Sequence, residues 1–288
     1  MLKKRIIGAI LVKNGVAVQS IGFKCHLPVG DPQIVAKAFS DWGADEILLL
    51  DISATRNKVS INENMIMAVA KASAVPLTVG GGISSISQIR SLLKAGADKV
   101  SVNNVLTTDL SLLTEGRKTF GRQCMVASFD TKFVGNRSTL YDYIERAPTS
   151  QDVEKAIEMA IEAGAGEILV NSVDRDGSYL GFDLSTLKSI SEKSPVPVIA
   201  CGGAGKPDHF ISLFQETEVS AGAAANVFNH TEHSIALYKS KINSLVQLRP
   251  AEHLDYSNTL FDGRGRPLRL SDRQLNDLLY EKLEIEIV

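Results

Sequence analysis

The sequence predicts a single (β/α)8 TIM barrel followed by a C-terminal extension. Two observations predict this fold: short apolar runs alternate with helix-patterned segments as far as about residue 245, and the first half of that alternation resembles the second. Strands that are almost continuously apolar are typical of a parallel sheet covered on its outside. Eight alternating strand and helix units close most naturally into a barrel.

The predicted elements divide the chain into a barrel, residues 1–244, and an extension, residues 245–288. The predicted strands are Arg5–Val12, Glu46–Asp51, Leu77–Gly81, Lys99–Val102, Met125–Asp130, Glu167–Ser172, Val198–Cys201 and Ala221–Ala225. Amphipathic spacing between them predicts helices, among them Pro32–Trp42, Ile86–Ala95, Val153–Ala163 and Leu184–Glu192. The extension reads as a loop with turn signals, then an amphipathic helix carrying Leu275, Leu278, Leu279 and Leu283.

An internal repeat supports the barrel. GADEILLLDIS from Gly43 matches GAGEILVNSVD from Gly164, and PLTVGGGI from Pro76 matches PVIACGGAG from Pro197. The offset from 43 to 164 equals the offset from 76 to 197. Two similar half-barrels should therefore present each feature twice, across a pseudo-twofold axis.

The composition is that of an ordinary soluble domain. Of 288 residues, 44% are hydrophobic and 22% are charged, and the formal net charge is -2. This balance argues against nucleic acid or a membrane surface as a partner. The apolar run Ile6–Val12 is too short for a signal peptide and fits a buried strand. Cys25, Cys124 and Cys201 lack metal-ligand spacing, so we expect a cytoplasmic protein without a metal site or cofactor.

Two glycine clusters predict phosphate sites. Each cluster follows a strand and opens a helix, where glycine allows close approach of an anion and free backbone N–H groups favour it. A single cluster could equally be a tight turn, but two clusters half a barrel apart predict two cradles for a phosphorylated small molecule with a phosphate at each end. The residues assigned to the cradles and the adjoining substrate contacts are Gly81, Gly82, Asn103, Asn104, Asp176, Gly177, Gly202, Gly203, Ala225 and Asn226.

Asp130 is the candidate acid–base residue. It stands at the C-terminal end of the fifth predicted strand, where barrel enzymes carry catalytic groups, and it can move protons if its surroundings raise its pKa. The alternative is a carboxylate that caps its own loop. Asp51, Asp174 and Asp176 sit at further strand ends and suggest binding of substrate hydroxyls or amines, although loop capping by Asp51 or Asp174 is equally consistent with the sequence.

Four charged residues mark the opposite, N-terminal ends of the strands. Arg5, Glu46, Lys99 and Glu167 should point toward the barrel axis, where alternating charges can form a ring of salt bridges. Spacing alone favours a structural plug at the bottom of the barrel.

These motifs together resemble the HisF family, the ammonia-using cyclase subunit of imidazole glycerol phosphate synthase. The resemblance covers about residues 1–243 and rests on the strings KRIIGAILVKNG, GDPQIVAKAFSDWGADEILLLDI, PLTVGGGI, GADKVSVN, GAGEILVNSVDRDG and VIACGGAGKPDHF. It implies that ammonia arrives from a HisH-like glutaminase docked at the barrel bottom. In that family a charged gate admits the ammonia, and Arg5, Glu46, Lys99 and Glu167 match it one for one. Asp98 matches a residue of the partner interface.

The first strand departs from the family pattern. The family's catalytic pair is an aspartate at the end of strand one and another at the end of strand five. Asp130 matches the second, but Leu11 occupies the first position, and leucine cannot move a proton. Gln19 replaces the family's substrate-binding lysine in the first loop. The resemblance therefore implies that the usual paired-carboxylate mechanism cannot run.

The strings AILVKNG and VIACGGAG are most similar to a divergent branch of the family, the WbuZ-type proteins of surface-polysaccharide clusters. That resemblance implies an ammonia-channelling subunit that works with a glutaminase and a sugar amidotransferase. Together they would convert the N-acetyl group of a sugar to an acetamidino group. This is our first functional expectation from the sequence.

Two alternatives stay open. The first is an active cyclase that converts the ribulosyl intermediate PRFAR and ammonia into imidazole glycerol phosphate and AICAR, with Asp51 or Asp176 replacing the missing acid. The second is a non-catalytic barrel that binds a phosphorylated ligand and activates its partner, for which Asp130→Asn should change no activity.

Overall fold

A closed barrel of parallel strands forms the centre of the protein. The computed structural model describes residues 3–57, 60–103, 106, 109–135, 137–249, 256, 259–269 and 271. Its strands are β1 (Arg5–Lys13), β2 (Val16–Ile21), β3 (Cys25–Gly30), β4 (Glu46–Asp51), β5 (Leu77–Gly80), β6 (Lys99–Val102), β7 (Met125–Val134), β8 (Arg137–Asp142), β9 (Ala147–Asp152), β10 (Glu167–Ser172), β11 (Val198–Cys201) and β12 (Ala221–Ala224). The barrel follows the circular order β1, β4, β5, β6, β7, β10, β11, β12 and back to β1.

Helices surround the barrel. They are α1 (Pro32–Asp41), α2 (Ala54–Asn57), α3 (Glu63–Ala72), α4 (Ile86–Lys94), α5 (Ser111–Phe120), α6 (Val153–Ala163), α7 (Leu184–Lys193), α8 (Pro207–Glu216) and α9 (Ser234–Asn243). Apart from the short α2, one helix follows each barrel strand within the described residues. Side-chain caps explain several starts: Asp31, Asp152 and Asp183 each accept a hydrogen bond from a backbone amide of the helix they precede. The predicted fold class is confirmed.

Alternation along β1 shows which residues face the axis. Ile7 and Ala9 belong to the small apolar cluster inside the barrel. Gly8 faces the other way, because a Cβ atom there would lie 2.5 Å from Cδ2 of Phe39 in α1. Odd-numbered side chains of β1 therefore point to the axis, and even-numbered ones pack under the helices.

Two antiparallel hairpins, which the sequence reasoning missed, extend the barrel at its C-terminal end. β2 and β3 continue from β1, and β8 and β9 continue from β7. Asn14 and Gly15 form the turn between β1 and β2 with φ values of 51° and 81°. Consecutive positive φ values at an Asn-Gly pair are typical of a tight hairpin turn, so this dipeptide was the available signal.

The described part of the extension packs against the outside of the barrel. Leu248 pairs with Lys4 beside the first strand. Tyr256 forms a hydrogen bond with His233, and the ring of Phe261 lies 5.5 Å from Nζ of Lys241. The helix predicted around residues 275–283 lies outside the described residues. Across the described ranges, no helix combines the length and apolar character needed to cross a membrane.

A buried ion pair joins α9 to the barrel base. Lys239 Nζ lies 2.7 Å from Asp45 Oδ1, and both side chains are at most 5% exposed. The other oxygen, Oδ2 of Asp45, accepts a hydrogen bond from the Ile6 amide at 2.7 Å. Burial raises the pKa of Asp45 and lowers the pKa of Lys239, and their mutual attraction opposes both shifts. The pair therefore connects the last barrel helix to the first two barrel strands.

We predict that Lys239→Met lowers the free energy of unfolding by about 3 kcal/mol, because removing one partner leaves a buried charge uncompensated. Urea unfolding measures the change, and adding Asp45→Asn should recover part of it. The matched control is Lys37→Met, which removes an exposed pair with Asp41 and should change stability far less. Equal losses in the two single variants would show that the buried pair does not anchor α9.

Candidate active site

A cavity of about 670 Å³ opens at the C-terminal ends of the barrel strands. Residues from opposite sides of the barrel line it, including Leu11 and Leu50 on one side and Asp130 and Asn171 on the other. This end of a parallel barrel is where catalytic groups are expected.

Asp130 is held inside this cavity by two amides. Its side chain is buried, with 7% of the residue exposed. Asn103 Nδ2 donates to Oδ2 at 2.9 Å, and Asn171 Nδ2 donates to Oδ1 at 3.0 Å. Burial raises the pKa of Asp130 to about 6; the two hydrogen bonds oppose this shift, and the charge of Asp176 adds to it. A carboxyl group in this range can take up and release a proton near neutral pH.

Leu11 is the half-barrel counterpart of Asp130. Leu11 pairs with Leu50 between β1 and β4, and Asp130 pairs with Asn171 between β7 and β10. β1 and β7 lie on opposite sides of the circular strand order. Where one half of the barrel places a carboxylate beside an amide, the other half places two leucines.

The two glycine clusters face each other across the cavity. Gly81 follows β5 with φ 122°, and a Cβ atom there would lie 2.3 Å from the carbonyl oxygen of Asp51. Gly203 follows β11 with φ 99°, and its Cβ would lie 2.1 Å from the carbonyl oxygen of Gly181. Both positions therefore require glycine.

The remaining predicted cradle residues also reach the cavity where they are described. Those that line it are Gly82, Asn103, Gly177, Gly202, Ala225 and Asn226. Asn104 lies outside the described residues. The clusters occupy opposite strands of the circle, which is the arrangement the internal repeat predicts.

Asp176 and Asn226 line the cavity and also hold the β2–β3 hairpin over it. Asp176 Oδ2 accepts hydrogen bonds from Ser20 Oγ at 2.7 Å and from the Phe23 amide at 2.9 Å. Asn226 Nδ2 donates to the Ser20 carbonyl at 2.7 Å, and its main-chain oxygen accepts from Gln19 Nε2 at 3.3 Å. Asp176 and Asn226 therefore hold the hairpin that covers the cavity, a role that the sequence did not indicate.

Asp51 and Asp174 cap loops, which was the alternative left open by the sequence. Asp51 Oδ1 accepts from the amides of Ser53 and Ala54 at 2.9 and 3.1 Å. Asp174 Oδ2 accepts from the Phe133 amide at 2.7 Å. Their carboxylates are therefore committed to backbone groups.

Lys13 and His26 are cavity residues that the sequence reasoning missed. Lys13 lies at the end of β1 and His26 in β3, and Lys13 Nζ is 3.1 Å from His26 Nδ1. Arg146, in the turn between β8 and β9, lines the same cavity. Cys201 also lines the cavity, and burial raises the pKa of its thiol to about 12.

The four predicted gate residues form a closed ring of ion pairs at the opposite end of the barrel. Arg5 lies 2.8 Å from both Glu46 and Glu167, and Lys99 lies 2.9 Å from Glu46 and 2.6 Å from Glu167. Thr78 Oγ1 also donates to Glu46 at 2.6 Å. Each acid therefore bridges both cations, which satisfies partly buried charges.

Asp98 lies beside this ring with an exposed side chain. Its Oδ2 accepts a hydrogen bond from the Leu77 amide at 2.8 Å. The carboxylate is thus fixed in direction at the base of the barrel, at the surface where the resemblance implies a partner.

We predict that Asp130→Asn gains stability relative to the unsubstituted protein as pH rises from 4 to 6. The raised pKa means that the folded protein keeps a proton that the unfolded chain releases in this interval, so the unsubstituted protein loses stability there. The difference should reach about 3 kcal/mol at pH 8, since each pKa unit corresponds to about 1.4 kcal/mol. Urea unfolding at several pH values measures it. A difference that does not change with pH would contradict the raised pKa.

Comparison with known proteins identifies the family. The family model described as "Histidine biosynthesis protein" matches residues 5–234. The chain is 41% identical to the imidazole glycerol phosphate synthase subunit HisF of Anoxybacillus flavithermus and 42% identical to that of Lacticaseibacillus casei, each over 84% of this chain and 97% of the relative. A Vibrio vulnificus protein, named provisionally as imidazole glycerol phosphate synthase subunit hisF2, is 40% identical over 93% of this chain and 98% of its own length. The chain therefore belongs to the histidine biosynthesis protein family, among the HisF-type subunits.

Proposed function

We propose that the protein is an ammonia-using synthase subunit that converts PRFAR and ammonia into imidazole glycerol phosphate and AICAR. The observation that carries this proposal is a single barrel with a ring of paired charges at one end and a buried acid between two glycine clusters at the other. The names of the relatives support the same reaction. They favour this alternative over the sugar modification that the sequence placed first.

The side chains that line the barrel axis are suited to the passage of ammonia. Above the charged ring, the axis is lined by an apolar cluster that includes Ile7, Leu48 and Leu169. Among the described residues, the Ser101 hydroxyl is buried without a hydrogen-bond partner, and it also lines the upper cavity. A small neutral molecule that can hydrogen bond, such as ammonia, fits this lining, whereas the ammonium ion would be desolvated there at a high energetic cost. One ion pair of the ring must separate to admit it.

The positions of the two glycine clusters are consistent with a substrate that carries a phosphate at each end. Gly81 and Gly203 stand on opposite sides of the mouth, and Asp130 lies in the cavity between the strands that carry them. A phosphate in each cradle would place the middle of an extended ligand over Asp130. In this position the carboxylate can take the proton that ammonia loses as it adds to the substrate.

Leu11 favours a second candidate function. Because Asp130 has no acidic counterpart, the barrel could pass ammonia to an acceptor on another protein. A sugar amidotransferase acting on an N-acetyl sugar is the acceptor enzyme that the sequence resemblance implied. PRFAR turnover separates the two candidates.

We predict that the purified protein consumes PRFAR with ammonium chloride at mildly alkaline pH, followed by absorbance. Asp130→Asn should lower kcat by about 10²–10⁴-fold, because an amide cannot accept the proton. Leu11→Asp should raise kcat by restoring an acid opposite Asp130. Absence of turnover by both the unsubstituted protein and Leu11→Asp would favour the second candidate.

We also propose that a HisH-like glutaminase docks at the base of the barrel. Asp98 projects there, with its carboxylate already fixed by the Leu77 amide. The ion-pair ring lies on the same side, so ammonia released by a docked glutaminase would enter at the ring.

We predict that Asp98→Asn weakens binding of a HisH-type glutaminase from the same organism about tenfold or more, because asparagine keeps the bond to Leu77 but loses the charge. Isothermal titration calorimetry measures the affinity. Glu145→Gln, at an exposed acid in the β8–β9 turn at the opposite end of the barrel, is the control and should bind normally. Equal affinity of Asp98→Asn and the control would remove Asp98 from the interface.

The division into a barrel, residues 1–244, and an extension, residues 245–288, is part of the proposal. The extension contacts of Tyr256 and Phe261 support a packing role on α9 and the segment before it. The alignment with the Vibrio vulnificus protein spans 268 residues and so includes part of this extension.

A further inference from the structure

The proposed reaction needs a second proton-transfer group. When ammonia adds to a keto carbon, the carbonyl oxygen gains a proton and the nitrogen loses one. Asp130 can serve one of these transfers. Leu11, its half-barrel counterpart, can serve neither, so another side chain in the cavity must act if the proposed function is correct.

The other cavity acids are committed to the backbone. Asp51 accepts from the Ser53 amide, Asp142 accepts from the Ile144 amide, and Asp176 accepts from the Phe23 amide. Each of these bonds uses the carboxylate to hold a loop in place. These acids therefore do not replace the missing aspartate.

The remaining titratable side chains of the described cavity are Lys13, His26, Tyr141, Tyr143, Arg146 and Cys201. Arginine stays charged, and tyrosine ordinarily titrates near pH 10. The pKa of the Cys201 thiol is about 12 because of burial. Histidine is the side chain among them that ordinarily titrates near neutral pH.

Lys13 and His26 lie together above Leu11, which occupies the position of the family's strand-one aspartate. Lys13 lies two residues after Leu11 on the axis-facing side of β1, about 7 Å farther toward the mouth. Its Nζ is 3.1 Å from His26 Nδ1. An ammonium group can only donate, so Nδ1 of His26 accepts and the neutral ring carries its proton on Nε2. In this arrangement Nε2 of His26 can donate its proton while Nδ1 receives a proton from Lys13.

Side-chain hydrogen bonds hold the hairpin that carries His26. Asp176 and Asn226 hold Ser20 in β2 through hydrogen bonds of 2.7 Å. At the tip of the hairpin, the ring of Phe23 contacts the ring of Tyr141 in β8, with centroids 6.2 Å apart. The two hairpins thus meet across the mouth, and β3 is held through its pairing with β2.

We propose that the Lys13–His26 pair is the second acid–base device of this site and replaces the aspartate of strand one. As the bond between the ammonia nitrogen and the keto carbon forms, the carbonyl π bond opens. The oxygen takes the Nε2 proton of His26 while Nδ1 takes a proton from Lys13. Asp130 accepts the proton that the nitrogen loses, so the product is a neutral carbinolamine and no proton is gained or lost overall.

In this device His26 is the catalytic residue and Lys13 is a positioning residue that acts through it. The proposal rests on the proposed function and predicts a specific pattern among variants. With PRFAR and ammonium, His26→Gln should lower kcat about 10²–10⁴-fold while KM changes little. Lys13→Met should shift the pH–rate profile, because it removes the charge that fixes the tautomer of His26. The control is His230→Asn, at an exposed histidine outside the cavity, which should leave kcat and KM unchanged.

Rescue separates a chemical role from damage to the hairpin. Adding Leu11→Asp to His26→Gln should restore kcat about tenfold or more, because a carboxyl group then stands at position 11, opposite Asp130. Full activity of His26→Gln in a protein that turns over PRFAR would overturn this inference and leave the proposed function intact. A loss of kcat that Leu11→Asp does not rescue would also overturn it. Inactivity of the unsubstituted protein would overturn the proposed function, and the inference with it.

Discussion

The ring of ion pairs at the barrel base determines which residues face the axis. Four partly buried charges are stable there only if each meets a partner on another strand, which ties β1, β4, β6 and β10 into one register. Side chains alternate along a strand, so an inward Arg5 makes Leu11 inward and an inward Glu167 makes Asn171 inward. The pairing of charges at the base thus fixes which strand residues point into the upper cavity.

The half-barrel repeat has kept its geometry and lost its chemical symmetry. The glycine clusters and the two hairpins still occur in pairs at opposite strands. At the centre, however, Asp130 beside Asn171 faces the side of the cavity formed by Leu11 and Leu50. The proposed ligand, held at both ends by similar glycine clusters, would therefore meet different chemistry on its two faces.

The sequence predicted the barrel well because its strands carry a strong local signal. Continuous apolar runs placed most strand ends within one residue of those observed; the exception is β7, which continues to Val134 because it enters a hairpin. Asp130 and the glycine clusters could be found because they follow such runs directly. The His26–Lys13 contact could not be found this way. It depends on Asp176 and Asn226 holding Ser20, across separations of 156 and 206 residues.

The most direct test of this arrangement is a crystal structure with PRFAR bound in the absence of ammonium. One phosphate should lie at Gly81 and Gly82, and the other at Gly202 and Gly203. The ribulosyl carbonyl should lie between Asp130 and His26. A ligand bound through one phosphate alone, or with its carbonyl away from Asp130, would contradict a cyclase-type site.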